Sequence, residues 1–244
     1  TDALDQFAII KGHDLFTSAE QLNQAAFGVG HINMIPDNDG VTRKEIAVIA
    51  FRDNFYPSLA LRVVQGYFAD TQNTLALDGA NGISIGEKFL PVTPMAMGGA
   101  MVWGAKHINY RGGYRSFNYY SVADILENRY PNNAFLDKIV LVGATSPGLF
   151  DTMATPFSSV FPGVERHANV IDNILKEDFI ARPAFSEIMV IAICMIFGLL
   201  ITFLFPRLNI MPQIVTLLTL SVGYFAVGTL AFHKFDIWIN ILFP

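Results

Sequence analysis

Charge is scarce in this chain. Asp, Glu, Lys and Arg make up 15% of its 244 residues, where ordinary soluble domains carry about 25%. Cysteine is nearly absent: Cys194 alone excludes an intrachain disulfide and a cysteine-based metal site. A lone cysteine also fits a periplasmic domain that manages without disulfides. Positive charge is in deficit, and a net charge of −5 argues against nucleic acid and against docking on anionic lipid. The phosphate-binding patterns GxxxxGK[ST] and GxGxxG are missing, as is the zinc pattern HExxH, and the five histidines are scattered. No cofactor and no metal are expected. The opening TDALDQF has neither an initiator methionine nor a signal-peptide pattern, so the chain reads as a piece of a longer protein.

Apolar residues are abundant instead, at 52% with a mean hydropathy of +0.39. They are concentrated in two uncharged runs, about 188–205 and 210–232, each long enough to cross a hydrocarbon core of about 30 Å as a helix. A third span is expected to start at about 237. After position 182 the only charged residues are Glu187, Arg207, Lys234 and Asp236. The chain therefore divides into a domain over 1–182 and a transmembrane module over 183–244. Arg207, between the first two spans, favours a cytoplasmic loop there and an extracytoplasmic domain.

Within the domain, FAIIKG (7–12) reads as a short strand and SAEQLNQAAF as a helix capped by Thr17 or Ser18. PDNDG (36–40) reads as a tight turn carried by Asp37, Asp39 and Gly40. VTRKEIAVIAF enters the core as a strand. YPSLALRVVQGYFAD is a helix with Leu59, Val63 and Tyr67 or Val64 on one face. Glycine-broken segments from 78 to 109 suit hairpins. SVADILENRY is a serine-capped helix with Ile125 and Leu126 on its apolar side, and GVERHANVIDNILKEDF is helical from about Val164, packed through Ala168, Ile171, Ile174 and Leu175. DKIVLVGAT (137–145) has the unbroken apolar run of a central strand covered on both faces, ended by Gly143. The fold class is α/β: a mixed sheet flanked by helices, an irregular β insertion, then transmembrane helices.

Candidate chemistry is thin. His167 suits a structural or ligand-contacting role better than a metal site, which wants further ligands at set spacing. Arg111 in NYRGG offers five donors to a carboxylate, phosphate or sulfonate, and equally well ties a loop down through a salt bridge. Ser146 lacks the GxSxG context of a nucleophile. The chain is expected to turn at Ser146 over the strand end, where α/β folds place ligands, with Asp151, Ser158 and Ser159 as candidates for lining the crevice. No residue is assigned a catalytic role. The aromatics of RSFNYY suit the core or an interface.

GHINMIPDNDGVTRKEIAVIAFRDNFYPSLALRVV, INYRG, SVADIL and DKIVLVGATSPGLFDTMATPFSSVFPGVERHANVIDNIL, in this order, resemble the CHASE2-type sensory domain, named for its association with cyclases and histidine kinases. The resemblance runs from about Gly30 to Phe179 and implies a bacterial inner-membrane receptor. Its output would be a class III adenylate or guanylate cyclase, or alternatively a histidine or serine/threonine kinase. It implies structural or sensory roles for Asp37, Asp39, Gly40, Arg111, Asp151, Pro156, Gly163, His167 and Asn169, and an α/β portion ahead of residue 1. The expected partners are membrane lipid, a second copy in a homodimer, and a small ligand or periplasmic protein. A pocket is expected between the GATSP strand end, INYRG and the VERHAN helix. The rival reading is an assembly protein whose outer domain docks a partner.

Overall fold

The computed structural model describes residues 9–68, 75–78, 82–86, 88–97, 100–146, 148, 152–180 and 186–235. It divides into two compact units, Thr1–Phe179 and Ile180–Pro244.

The first unit is α/β, built from several small sheets rather than one. Strand β1 (Lys44–Ile46) and, after Ala47, β2 (Val48–Phe51) come from the predicted strand at VTRKEIAVIAF, which thus serves two sheets. β2 turns back through Arg52 and Asp53 into β3 (Asn54–Pro57). Helix α1 (Glu20–Ala25) precedes them. Its cap position is Ala19, because Ser18 instead binds Asn23 through its hydroxyl and its carbonyl. Helix α2 (Leu59–Tyr67) follows β3, and the Ser58 hydroxyl accepts the Leu61 amide, a cap worth about 1 kcal/mol. The glycine-broken region forms the meander β4 (Leu75–Asp78), β5 (Gly82–Ile85), β6 (Lys88–Pro91), then β7 (Thr93–Met97) and β8 (Ala100–His107), which pairs with β1. A short helix, α3 (Val122–Leu126), and the hairpin β9 (Thr152–Thr155) and β10 (Ser158–Pro162) lead into α4 (Gly163–Lys176). Every ladder among the described residues is antiparallel, and the parallel contacts are single bridges such as Lys11 to Ala50.

The core joins α2, α4 and the meander around Trp103, Phe161, Leu61, Val64, Ile83 and Ile174. Ile46, Ile49, Val102 and Ala105 form a smaller cluster. Val48 and Ile49 enter different clusters because successive strand residues point to opposite faces.

Further expectations need correction. Residues 9–12 of FAIIKG form no strand and hold only the single bridge from Lys11 to Ala50. DKIVLVGAT is extended but belongs to no sheet: Ile139 and Leu141 pack on the core, while Val140 and Val142 are 50% and 88% exposed. An apolar run signals burial without saying on how many faces, and here only one is covered. α2 buries Ala60, Leu61 and Val64 and leaves Tyr67 exposed. Its apolar residues cover more than one stripe, so spacing did not settle its rotation. In α3, capped by Ser121 as expected, Leu126 is exposed and no residue is buried.

In the second unit, α5 (Ser186–Leu204) carries the exposed Cys194 and ends in a 3₁₀ turn, Phe205–Arg207. Gln213 closes this turn, donating to the Phe205 and Leu208 carbonyls. α6 (Ile210–Phe235) follows. Among the described residues one helix, Ile210–Lys234, is long and apolar enough to cross a membrane, and the apolar stretch Ile191–Arg207 is shorter. The expected third span lies outside the described residues.

Candidate functional site

α4 begins after Pro162, with Glu165 in its first turn and Lys176 in its last, charges that suit the helix dipole. It ends where Glu177 turns left-handed (φ 57) and Asp178 donates back to the Asn173 carbonyl at 3.0 Å. Nearly the whole circumference is buried, including Glu165, Arg166, His167, Asn169 and Asn173. Buried polar groups need partners, and these fall into two sets.

The first set is a stripe. Glu165, Asn169 and Asn173 are spaced by four and lie one above another on a helix. They meet the loop after β8, which runs in the opposite direction. Asn173 accepts the Asn109 amide and donates to the Asn109 carbonyl, both at 2.9 Å. Asn169 accepts the Arg111 amide at 2.9 Å, its own amide group being held by the Glu165 carbonyl. The Glu165 carboxylate accepts the Ser116 and Arg115 amides at 2.8 and 3.1 Å and the Tyr119 hydroxyl at 2.6 Å. Burial, and then the Glu165 carboxylate, push the Tyr119 phenol up. Side chains of α4 thus do for this loop what a neighbouring strand would do for a strand.

Arg111 lies at the edge of the same seam. Its guanidinium forms a two-pronged ion pair with Asp172 and stacks over Phe117 at 4.8 Å. Its side chain is 38% exposed, so the fork is held but reachable.

The second set is a buried charge cluster. Arg166, 1% exposed, pairs with Glu45 of β1. Its Nη1 lies 3.4 Å from His167 Nδ1. His31, whose ring nitrogens are both buried without hydrogen-bond partners, is coupled electrostatically to Arg166. Burial and then the guanidinium hold His31 down to about 4 and His167 down to about 3. A cavity of about 10 Å³, room for roughly one water, lies beside it, lined by Glu45, Ser58, Lys106, His107 and Asn173 among others.

The remaining expected residues sit elsewhere. Asp37, Asp39 and Gly40 form their turn, with Gly40 at φ +78 donating to the Asp37 carbonyl. Arg43 clamps both carboxylates, and the Arg43 guanidinium and the Val41 amide hold Asp39 down to about 2. Gly143 passes so close to α4 that an added Cβ would lie 2.6 Å from the Val164 Cβ, so Gly143 meets the same helix that holds Asn109 and Arg111. Gly163 is buried at the start of α4. Ser146 and Ser159 are exposed, and Asp151 lies outside the described residues. Ser146 shares no hydrogen bond with His167 among the described residues. Sequence reasoning passed over Asp172, Asn173, Glu165, Arg166, Glu45 and His31 as site residues. The Glu-x₃-Asn-x₃-Asn spacing, which puts three polar side chains on one face of the helix, was the signal available for the first of these sets.

The family profile named CHASE2 domain matches residues 3–204, spanning the first unit and all of α5. The chain belongs to the CHASE2 domain family. CHASE2 domains are extracellular sensory domains found in receptors. No curated protein matches the chain, and no solved structure does. The polar seam and charge cluster of α4 thus lie in the sensory domain itself, and the CHASE2 match ends where α5 ends.

Proposed function

We propose that the chain is the sensing and membrane-anchoring part of a bacterial inner-membrane receptor, with the domain over 1–182 in the periplasm and the module over 183–244 in the membrane. In this reading it works as a homodimer and controls a cytoplasmic class III adenylate or guanylate cyclase. A histidine or serine/threonine kinase is the alternative output. The observation that carries the reading is the CHASE2 match over 3–204, and the apolar helix Ile210–Lys234 and Arg207 ahead of it support the topology. The mechanism is a population shift: a ligand favours one of two arrangements of the domain, and the helices pass that bias on.

The proposed reading element is Arg111, whose backbone amide Asn169 holds, with Ser146, Asp151, Ser159 and His167 as further candidate residues. A small anion would compete with Asp172 for the guanidinium fork and slacken the loop that α4 holds. Thermal denaturation of the chain against carboxylates, phosphate and sulfonates tests this. A specific rise in Tm that is weakened in Arg111→Lys and lost in Arg111→Ala is expected. An unchanged Tm with every anion overturns the ligand site and favours the second reading, a protein partner. That reading has its own support in the exposed Val122, Leu126, Leu136, Val140 and Val142.

A further inference from the structure

The charge cluster under α4 takes no part in the seam at Arg111, and its geometry has a consequence of its own. An arginine can only donate, so the contact of Arg166 Nη1 with His167 Nδ1 requires that nitrogen to be bare. Protonation would set an N–H against an N–H and place two cations side by side. His31 would add a third cation: Arg166 opposes its charge, its own charge opposes that of His167, and the Ala47 backbone favours it. The counter-charge available is Glu45, already paired with Arg166. Tyr110, Lys106 and His107 also surround the cluster. Tyr110 feels both Arg166 and Glu45, while Lys106 and His107 line the cavity beside Glu45. The cluster ties together four separate pieces of chain: α4, β1, the start of α2 at Ser58, and the segment at His31, whose backbone bonds Pro57 and Leu59.

We propose that Glu45, Arg166, His31 and His167 form an acid-sensitive latch that holds α4 against β1 and the His31 segment, and releases the helix when the two histidines take up protons. Both histidines are held below their ordinary 6.5, at about 4 and about 3. Their support of the closed state is complete above pH 6.5 and is lost as pH falls toward those values. Glu45 works in the opposite sense, because burial pushes its carboxyl up against the pull of Arg166 and Ser58. Two protons gained on opening against at most one lost leave a net of one, so the latch weakens by at least about tenfold per pH unit. α4 is the last helix before the stretch of chain that leads to α5, so its release is a local event placed just ahead of the membrane helices in sequence.

Hydrogen exchange of the full chain in detergent tests this, with protection of α4 amides expressed as a ratio to those of β5 at the same pH. The ratio is expected to fall about tenfold or more between pH 6 and pH 5 in the wild type and to stay level in His31→Gln/His167→Gln. Equal loss in α4 and β5, a level wild-type ratio, or the same fall in the double variant each overturns the latch. Should the double variant not fold, ¹⁵N-imidazole NMR of the wild type decides. Protonation of both rings in step with loss of α4 protection is expected, and independent titration near 6.5 with α4 still protected overturns it.

Discussion

Asn173 shows how much a single side chain carries here. Its amide replaces one rung of a ladder, accepting from and donating to the same residue, Asn109. Asn173→Ala removes both partners at once and leaves a backbone N–H and C=O unpaired beside the core, a loss of about 2–4 kcal/mol. Urea denaturation should read this as a lower midpoint with an unchanged slope. Asn173→Asp keeps the acceptor but sets a carboxylate against the Asn109 carbonyl, so it should lose stability at neutral pH and recover part of it in acid. His167 and Asn169, which resemblance and spacing singled out, are neighbours in sequence with separate work. One faces the Arg166 guanidinium and the other holds the Arg111 amide. That Arg111 itself faces Asp172 was one of two readings open in NYRGG, and a one-dimensional pattern had no means to choose between them.

At the scale of elements, α4 is the organiser. Its apolar residues Val170, Ile171 and Ile174 enter the core, its polar stripe holds the 109–119 loop, and its first turn lies against Gly143. The approach at Gly143 is closer than any side chain tolerates. Gly143→Ala forces its Cβ into the Val164 side chain and should cost about 1–3 kcal/mol. Val164→Ala in the same chain should return a large part of that loss, because the two side chains contend for one space. A double-mutant cycle by thermal denaturation measures the coupling, and additive losses would mean that the clash is relieved elsewhere. Helix starts at Ser58 and Ser121, the turn at Asp37–Gly40 and the hairpins between 82 and 107 were legible because each rests on local chemistry. KIVLVGAT was not, because strand pairing is a contact between distant segments and an apolar run does not name its partner.

The whole molecule joins a polar-seamed sensory domain to an apolar helical unit. Leu218 lies near the middle of Ile210–Lys234, the helix with the length and composition of a span. Leu218→Lys should cost about 2.5–3.5 kcal/mol of insertion. Alkaline extraction of membranes should then release the variant while the wild type stays with the lipid fraction. Equal retention of both would remove α6 as the anchor.

Composition alone showed charge gathered before position 183 and apolar residues after it, because charge and hydropathy are properties of residues before they fold. The motifs from GHIN to VERHAN were enough for the family, since they survive as strings. The tertiary structure alone decided that Glu165, Asn169 and Asn173 form a ladder, that Arg111 meets Asp172, and that Glu45, His31, Arg166 and His167 share one buried space. Glu45 and Arg166 are separated by 121 positions. Spacing along a chain cannot register an ion pair between two residues that only folding brings together.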